Sequence, residues 1–438
     1  MNNRSYMINQ HRVLLITEEY PYGTGEEFIS NEIPHLSERF NLSILPLHVK
    51  SLTTRRDLPD AVNLLAPVIA QSYSRIRRVL SGIYALPLCL PLLSWQDLEH
   101  ILRNPRLIRQ LLSYSLKLKH AISTLKPIVS QDKISMIYTY WFDVATSGAL
   151  IVRNSKNSDS NVKPVVVTRA HRYDLYAEQY LNSWIPLRRH SLVAIDRVYA
   201  VSENGVEYLS THYPESANKV ALSYLGTPDY ASILPVLSRP ALDRTFRIVS
   251  LANLVPVKRI ELLVRALSLL EDMLSCELEW LHIGDGPSAS SVQNLAHDLL
   301  RRTQFRFAGH LDNLDAIETM NSFAPHFLVS TSESEGLPVS MMEAMNLGIP
   351  VIACAVGGVP EIVNVEVNGF LLPQQPTPIA IADTLRDAAC LSENTWIKLS
   401  IAAKQTWAKS FSATTNYSRF VEDLSNLISF ANSSDRHD

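Results

Sequence analysis

The sequence predicts an α/β protein built from two Rossmann-like, doubly wound domains. A length of 438 residues suits two domains of roughly 200 residues each. Short apolar runs, typical of buried parallel strands, alternate with helical patterns in two separate series. Between the series, residues 230–245 contain Pro235 and Pro240 and show no clear period, which indicates a linker.

The first series opens with Arg12–Thr17, an apolar run that predicts a buried strand. A glycine-bearing loop and a helical pattern through Phe40 follow, which is the opening of a βαβ unit. Further strands are predicted at Ile44–Leu47, Met136–Tyr140, Val165–Thr168 and Val198–Ser202. We assign residues 1–235 to this domain and expect a C-terminal helix at about 415–438 to pack back on it.

The second series predicts a domain over residues 243–414. Its strands are expected at Phe246–Leu251, Glu279–Ile283, Phe305–Ala308, Phe327–Ser330, Val351–Cys354 and Gly369–Leu372. Helical patterns are seen from about Ile260 to Asp272, through about Leu300, and from about Pro338 to Asn346. Because ligands of doubly wound sheets bind outside the carboxyl ends of the strands, we expect a ligand cleft between the two sheets.

Composition limits the partners and the compartment. A formal net charge of −3 provides no general attraction to nucleic acid, so no nucleic-acid partner is expected. The four cysteines lie far apart, without a metal-binding pair or a disulfide-dense pattern. The first ten residues lack the apolar core of a signal peptide. These features favour the cytoplasm.

Residues 79–94 are almost uncharged and follow the basic run Arg75-Ile-Arg-Arg78. At 16 residues, with two prolines inside, the stretch is short for a transmembrane helix of about 20 residues. It is compatible with buried helix and loop, or with a surface over 75–94 that enters the interface of an anionic bilayer. The second alternative would give a peripheral position on the inner face of the cytoplasmic membrane.

The stretch Glu335-Gly-Leu-Pro-Val-Ser-Met-Met-Glu343 combines two carboxylates with a strand-to-helix turn. Pro338 suits the first turn of a helix, where its missing N–H would be unpaired anyway. The free N–H groups of that turn can hold a phosphate. Glu343 lies further along the helix, among methionines, and can accept hydrogen bonds from a ribose diol.

These residues, with Gly348, Gly357-Gly358 and Asn368-Gly369, resemble the signature of glycosyltransferase family 4, which has the GT-B fold. The segment Ser250–Lys258 is similar to the family's diphosphate-contacting loop, and His282–Pro287 to the end of its next strand. Phe307–Leu311 is similar to the segment that meets the nucleobase. The resemblance implies catalytic roles for Glu335 and Lys258. It implies donor-binding positions at Asn253, Arg259, Gly284, Gly309, His310, Leu311, Gly336, Leu337, Pro338, Val339 and Glu343.

In the first half, Pro21–Glu26 resembles the acceptor-side glycine loop of the family, and Thr168–His171 its active-site histidine segment. The resemblance implies that His171 hydrogen-bonds the reacting sugar or stabilises its oxocarbenium-like centre. A lone histidine can also be an ordinary core residue, and Glu26 can merely cap the next helix. Acceptor-side positions are expected at Gly23, Gly25, Glu26, Tyr140, Arg172 and Asp174.

One position departs from the family pattern. Many members have an arginine five positions before the lysine, where this chain has Asn253, and a glycine where it has Arg259. Lys258 and the helix N-terminus must then balance more of the leaving-group charge, or Arg259 contributes. The sequence contains no Asp-x-Asp, so neither a cofactor nor an obligatory metal is expected.

The resemblance implies a retaining transfer from a nucleotide diphosphate sugar to a saccharide acceptor, taken to be lipid-linked, in bacterial surface polysaccharide synthesis. A sugar-nucleotide 2-epimerase of the same fold would not need the apolar insertion at 79–94. A non-catalytic binding partner in an assembly complex would not need Glu335, Glu343, Lys258 and His171 together. A dehydrogenase is disfavoured because neither glycine loop reads Gly-x-Gly-x-x-Gly.

Overall fold

The computed structural model of the protein describes residues 11–23, 25–70, 74–155, 163–180, 183–235, 241–242 and 244–434. Its contacts divide the chain into two units. The first consists of Met1–Ser223 together with Tyr417–Asp438, and the second of Tyr224–Asn416.

The first unit contains a parallel sheet in the order β3-β2-β1-β4-β5-β6-β7. Its strands are β1 Arg12–Thr17, β2 Asn41–Pro46, β3 Asn63–Leu64, β4 Met136–Thr139, β5 Val165–Ala170, β6 Arg197–Ala200 and β7 Val220–Leu222. The order reverses between β1 and β4, which is the position where doubly wound sheets bind ligands.

Helices cover both faces of this sheet. They are α1 Ile33–Arg39, α2 Arg75–Ala85, α3 Trp95–Arg103, α4 Leu107–Gln131, α5 Val144–Arg153, α6 Arg188–Ala194 and α7 Glu203–His212. Alternate side chains of β1 enter opposite cores, as the pleat of a strand requires. Val13 and Leu15 pack in the core that includes α1, and Leu14 and Ile16 in the core that includes α4 and α5.

The last helix, α15 (Ala413–Ser434), completes the first of these cores. Phe420, Leu424 and Ile428 are buried in the same cluster as the residues of β1 and α1. Beneath the helix, Arg169 forms a fully buried ion pair with Glu32, with 3.1 Å between nitrogen and oxygen. The Arg169 guanidinium also lies 4.1 Å from the centre of the Phe420 ring. The segment expected at 415–438 is thus part of the first unit, although residues 435–438 lie outside the described chain.

The second unit contains a parallel sheet in the order β10-β9-β8-β11-β12-β13. Its strands are β8 Thr245–Leu251, β9 Glu277–Ile283, β10 Gln304–Phe307, β11 Phe327–Ser330, β12 Val351–Cys354 and β13 Gly369–Leu372. Its helices are α8 Ile260–Leu270, α9 Ala289–Leu299, α10 Asn313–Phe323, α11 Val339–Asn346, α12 Val359–Ile362, α13 Pro378–Ala389 and α14 Glu393–Ser410. The order reverses between β8 and β11.

The first unit ends at Ser223 instead of the expected residue 235. The segment after it is tied to the second unit by hydrogen bonds that the sequence pattern does not reveal. The backbone N–H of Ala231 donates to Asn346 Oδ1 at 3.1 Å, and the Tyr230 hydroxyl donates to Asn313 Oδ1 at 2.7 Å.

Residues 75–94 form α2 and two short 3₁₀ turns. Only part of this stretch is core: Ala85 and Cys89 are buried, whereas Leu80 and Tyr84 are 62% and 75% exposed. No helix among the described residues combines the length and the apolar character that crossing a membrane requires.

Candidate active site

Lys258 and Glu335 meet at the switch point of the second sheet. Lys258 ends the loop that follows β8, and Glu335 lies in the loop that follows β11. The Lys258 ammonium donates to Glu335 Oε1 at 2.6 Å. The Glu335 residue is only 8% exposed, so this ion pair compensates the cost of burying its carboxylate. Two of the three residues expected to be catalytic, Lys258 and Glu335, are therefore brought together, and the third is His171.

The two loops are also joined by hydrogen bonds to the backbone of the loop that follows β8. The Thr331 hydroxyl donates to the carbonyls of Lys258 and Arg259 at 3.1 and 3.0 Å, and Glu333 N–H to the carbonyl of Val257 at 2.8 Å. Behind them, Gly357 has φ +51°, and a Cβ there would lie 1.9 Å from the Glu335 carbonyl oxygen. The close approach requires glycine at 357 and fixes the position of Glu335.

Glu343 belongs to a second buried polar group, on α11. Asn313 Nδ2 donates to Glu343 Oε1 at 2.7 Å, while Asn313 Oδ1 accepts from the Tyr230 hydroxyl. Sequence reasoning missed Asn313 and Tyr230. No spacing could reveal this group, because its three residues come from three separate segments that only the fold assembles.

Arg259 does not have the free guanidinium expected of a diphosphate ligand. It donates to the carbonyls of Thr331, Ser332 and Gln374 at 2.7 to 3.1 Å. Its backbone has a left-handed φ of +49°, at the start of α8. The side chain fastens three backbone segments together and still carries its positive charge, so its role as a second cation stays a prediction.

The remaining donor-side positions outside the turn into α11 lie in the loops that follow β8, β9 and β10. Asn253 and His310 are exposed, and Gly309 and Leu311 are partly exposed. The N–H of Gly284 donates to the Gly309 carbonyl at 2.9 Å, which joins the loops after β9 and β10. Gly284 has φ +136°, and a Cβ would approach the carbonyl oxygen of Ala252 to 2.0 Å.

The turn into α11 differs from expectation by one position. Pro338 is the residue before the helix, with ψ 113°, and Val339 is its first residue. Gly336, Leu337 and Pro338 are buried, while Val339 is partly exposed. The helix therefore begins four residues after Glu335, one residue later than the sequence indicates.

In the first unit, His171 follows β5 and lies within a group of aromatic rings. Its ring centre is 4.9 Å from that of Tyr140, in a stacked arrangement, and 4.4 Å from that of Trp141. Phe28, which sequence reasoning missed, lies 6.1 Å away. His171 is 7% exposed, and neither ring nitrogen has a hydrogen-bond partner among the described residues. A buried polar group in this state is uncommon, and a bound water or a ligand would satisfy it.

Asp174 positions this histidine instead of facing an acceptor. Its carboxylate accepts from the backbone N–H groups of His171 and Phe142, both at 2.8 Å, and lies 3.6 Å from His171 Nδ1. Arg188 donates to the carbonyls of Phe142 and Asp174 from the other side. Asp174 is fully buried, so the expectation of an acceptor-side contact is wrong.

Glu26 is likewise occupied by the protein. Its carboxylate accepts from the backbone N–H groups of Glu18, Glu19 and Tyr20 and from Trp141 Nε1, at 2.5 to 3.1 Å. With four donors and 4% exposure, it holds the loop after β1 against Trp141. It is neither an acceptor ligand nor a simple helix cap.

Of the other acceptor-side positions, one is a buried supporting residue and the rest are at least partly exposed. Tyr140 is fully buried behind His171, and this burial raises the pKa of its hydroxyl well above the ordinary value of 10. Gly23 has φ +67°, and Gly25 is exposed with open space around it. Arg172 donates to Gln179 Oε1 at 3.0 Å. Tyr140 is thus a supporting residue, while Gly25 is accessible.

Asp143 lies beside this group and caps α5 by accepting from Ala145 N–H at 2.9 Å. Burial, together with the negative charges of Glu18 and Asp174, raises the pKa of its carboxyl to about 7. The hydrogen bond from Ala145 and the charge of Lys117 act in the opposite direction. Sequence reasoning did not single out this residue.

Comparison with known proteins finds a family match within the second unit and several relatives. Residues 239–398 match the model of the family described as glycosyl transferases group 1. The Erwinia amylovora amylovoran biosynthesis glycosyltransferase AmsK is 27% identical over 157 residues, which are 34% of this chain and 37% of AmsK. The putative colanic acid biosynthesis glycosyltransferase WcaL of Escherichia coli K12 is 24% identical over 219 residues, 49% of this chain and 52% of WcaL. The chain thus spans between a third and about half of these relatives' lengths.

Solved structures resemble the chain over nearly its whole length. Anabaena HepE in complex with UDP and glucose has a TM-score of 0.61 and 16% identity, covering 95% of this chain and 100% of that one. Sucrose-phosphate synthase from Thermosynechococcus elongatus has a TM-score of 0.68 and 16% identity, covering 96% and 100%. Together with the two Rossmann-like sheets, these likenesses show the GT-B fold. The match to the glycosyl transferases group 1 family lies within the second unit of this GT-B chain.

Proposed function

We propose that the protein is a retaining glycosyltransferase of polysaccharide biosynthesis, which moves a sugar from a nucleotide diphosphate sugar to a saccharide acceptor. The observation that carries this proposal is the Lys258–Glu335 pair, which lies beside the first turn of α11 at the switch point of a group 1 domain. Relatives named for amylovoran and colanic acid biosynthesis support the placement in polysaccharide synthesis.

The charged groups of the second unit would bind the nucleotide diphosphate sugar. The Lys258 ammonium and the free N–H groups that begin α11 would neutralise the diphosphate as it departs. Glu343, held by Asn313, would accept from the ribose hydroxyls. HepE has been solved with UDP and with UDP-glucose, so a uridine diphosphate sugar is the first donor to test.

In the transfer, the bond between the anomeric carbon and the diphosphate oxygen breaks, and its electron pair leaves with the diphosphate. The acceptor hydroxyl oxygen forms the new bond to the anomeric carbon from the same face. Its proton passes to the departing phosphate oxygen, which is the nearest base when acceptor and leaving group share that face. Positive charge grows on the sugar, and the Glu335 carboxylate would stabilise it.

His171 would bind a hydroxyl of the reacting sugars. Both of its ring nitrogens lack a protein partner in the described chain, whereas its ring is fixed by Tyr140 and Trp141. A sugar hydroxyl that donates to one nitrogen would satisfy a buried group at no cost in side-chain ordering, because the imidazole is already held.

We further propose that the acceptor is lipid-linked and that α2 brings the enzyme to a membrane surface. The helix exposes Ile76, Leu80, Ile83 and Tyr84 to solvent, each more than half exposed. Arg77 and Arg78 lie beside them on the same helix. Apolar side chains flanked by arginines are typical of helices that lie in the interface of an anionic bilayer. An epimerase would have no use for such a surface.

The donor proposal is tested by a thermal-shift screen against nucleotide diphosphates and their sugars, because a ligand of the folded state raises the melting temperature. We expect a shift with one nucleotide series, and a smaller shift in Lys258→Ala and Glu343→Gln. Lys398→Ala and Glu318→Gln, at exposed positions of the same unit, are the charge-matched controls. A chain that responds to no nucleotide diphosphate would contradict the proposal.

A further inference from the structure

A buried chain of hydrogen bonds runs through the sheet of the second unit, close to the loops that follow β8 and β9. It consists of Ser250 on β8 and of Trp280 and His282 on β9. Trp280 Nε1 donates to Ser250 Oγ at 2.9 Å, and Ser250 Oγ lies 2.8 Å from His282 Nδ1. Each of the three residues is at most 1% exposed. The chain is therefore part of the protein interior, where every polar group needs a partner.

The strand register brings these side chains together. Ser250 is the partner of His282 across the parallel strands β8 and β9. Trp280 precedes His282 by two residues, so its side chain lies on the same face of the sheet. One residue of β9 remains after His282, and the loop that begins with Gly284 follows. The chain thus ends at the carboxyl edge of the sheet, where ligands of this fold class bind.

The protons of this chain determine the tautomer of His282. An indole nitrogen is only a donor, so Ser250 Oγ accepts from Trp280. The hydroxyl then donates its own proton to His282 Nδ1, because the hydrogen bonds of the described residues give it no other acceptor. Nδ1 is the accepting nitrogen, and Nε2 carries the proton. Burial lowers the pKa of His282 to about 4, against the opposing effects of the Ala252 backbone and the Asp285 charge, so the ring is neutral near pH 7.

The Nε2–H group of His282 has no hydrogen-bond partner in the part of the chain that the structure describes. A buried donor that has given up water without gaining an acceptor lowers the stability of the fold. A leucine would fill much of the same space without this cost. Stability alone therefore does not account for a histidine at this position.

The backbone of Ala252 lies against this imidazole. Ala252 directly follows β8 and opens the loop that leads to Lys258. Its N–H donates to the Ile283 carbonyl at 3.0 Å, and its carbonyl oxygen packs on Gly284, where a Cβ would lie 2.0 Å away. The Ala252 backbone raises the pKa of His282, as a nearby acceptor does. The carbonyl is thus close to the ring, although Nε2 has no hydrogen bond in the structure.

We propose that His282 is a positioning residue for the donor. Ser250 and Trp280 hold it as the Nε2–H tautomer, and its Nε2–H donates to the Ala252 carbonyl when a nucleotide diphosphate binds. The C=O and N–H of a trans peptide point in opposite directions, so this bond would turn the N–H of Asn253 towards the ligand. Asn253 stands where many family members have arginine, and a directed backbone N–H would replace part of that missing charge.

This inference rests on the proposed function for the identity of the ligand, whereas the tautomer depends only on the three side chains. Long-range ¹H–¹⁵N correlation spectra of the full chain, labelled with ¹⁵N-histidine, test the tautomer. The signals of His282 are those that disappear in His282→Asn. We expect the Nε2–H tautomer in the wild type and the loss of this single form in Ser250→Ala. A wild-type ring that is protonated on Nδ1 would overturn the proposal.

Calorimetry with UDP and with uridine tests the positioning. His282→Asn keeps an amide near Nδ1 and removes the group at Nε2, whereas His282→Gln places its amide near Nε2. We expect His282→Asn to weaken UDP binding about tenfold, the usual effect of losing one hydrogen bond, and to leave uridine binding unchanged. His282→Gln should restore most of the UDP affinity. A purely structural role would not distinguish UDP from uridine, and glutamine would not rescue it.

His326→Asn is the matched control. His326 is also buried beside this sheet, at 1% exposure, but it precedes β11 and accepts from the N–H of Arg247 at the opposite edge. This variant should lower the free energy of unfolding without changing the affinity for UDP. Equal UDP affinities in the wild type and His282→Asn would overturn this inference alone. A wild-type chain that binds neither UDP nor any other nucleotide diphosphate would contradict the proposed function, and the inference with it.

Discussion

In the second unit, the charged groups of the candidate site are bound by other side chains: Lys258 holds Glu335, and Asn313 holds Glu343. In the first unit, His171 is held by ring stacking and by its backbone, and its two nitrogens have no partner among the described residues. Both sites follow the carboxyl ends of strands in a parallel sheet. In the second unit, the charged groups already have protein partners. In the first unit, the histidine ring is fixed in place while its nitrogens have no partner among the described residues.

The difference fits the two kinds of ligand proposed. Every nucleotide diphosphate presents the same charged group, so its site can be built as a fixed arrangement of charges that needs no reorganisation. Acceptors differ in their hydroxyls, and a rigid imidazole within aromatic walls can serve them without a dedicated set of charges. Variants of each unit can test whether the second unit binds the nucleotide and the first unit binds the sugar hydroxyls.

The largest effect is expected at the ion pair. Lys258→Ala should lower turnover about a hundredfold or more, the usual effect of removing a preorganised charge from a leaving group. Steady-state kinetics with the donor identified in the screen measure it, with Lys398→Ala as control. Unaltered turnover would mean that another cation holds the diphosphate. Arg259 is the nearest candidate in sequence, although its Nε and Nη2 atoms already donate to three carbonyls.

The next effect separates the two sites. His171→Phe keeps the stacking on Tyr140 and Trp141 but removes both nitrogens, so turnover should fall about tenfold to a hundredfold through loss of one or two hydrogen bonds. Affinity for the bare nucleotide diphosphate should stay the same, as measured by calorimetry. A loss of nucleotide affinity would remove the distinction between the units.

A smaller effect separates the two glutamates. Glu343→Gln should weaken binding of the bare nucleotide diphosphate about tenfold, since a charged acceptor for the ribose hydroxyls is lost. Glu335→Gln should leave that affinity intact or raise it, because Lys258 is released from its partner, and should act mainly on turnover. If Glu335→Gln loses the nucleotide while Glu343→Gln keeps it, the two roles are reversed.

The first unit should also show a pH dependence of stability. The folded pKa of Asp143 is raised to about 7 from an ordinary value near 4, so between these values the folded state keeps a proton that the unfolded state has lost. Stability should therefore fall as the pH rises through this window. Asp143→Asn, which can still cap α5, should gain at least about 1 kcal/mol relative to wild type between pH 4.5 and pH 7.5. Denaturant titrations at both pH values measure it, and parallel profiles would contradict the assignment.

Chelation of metal ions is expected to leave turnover unchanged. If Lys258 and the start of α11 carry the charge of the leaving group, turnover should persist in EDTA. A complete loss that added magnesium or manganese reverses would show that the second unit relies on a metal ion as well as on its own side chains.

The recognisable part of the site was the part that is local in sequence. Glu335, Pro338 and Glu343 lie within nine residues, and the bounds of β11 and α11 follow from the apolar pattern to within one residue. The structure shows what that pattern cannot: the partner of each glutamate comes from a distant segment. Lys258 was found through its own motif, whereas Asn313 begins a helix, α10, that the pattern did not indicate.

The first unit was harder to interpret because its carboxylates look alike in sequence. Glu26 and Asp174 both follow strand ends near glycine or histidine, as functional acids do. In the structure, however, both carboxylates accept hydrogen bonds from backbone N–H groups. Arg259 likewise donates to the carbonyls of other loops. Which charged side chains remain available to a ligand depends on where the backbone donors and acceptors of other loops fall, and one sequence does not specify that.

The position of α15 has a consequence for how the protein is made. The core of the first unit contains Phe420, Leu424 and Ile428, which leave the ribosome about two hundred residues after Ser223. At synthesis rates of about 5–20 residues per second, the nascent first unit waits ~10 s or longer with the Arg169–Glu32 side of its sheet uncovered. The second unit, encoded later, can finish first. Emergence of α15 from the ribosome, and not the completion of either sheet, is then the step that closes the first unit.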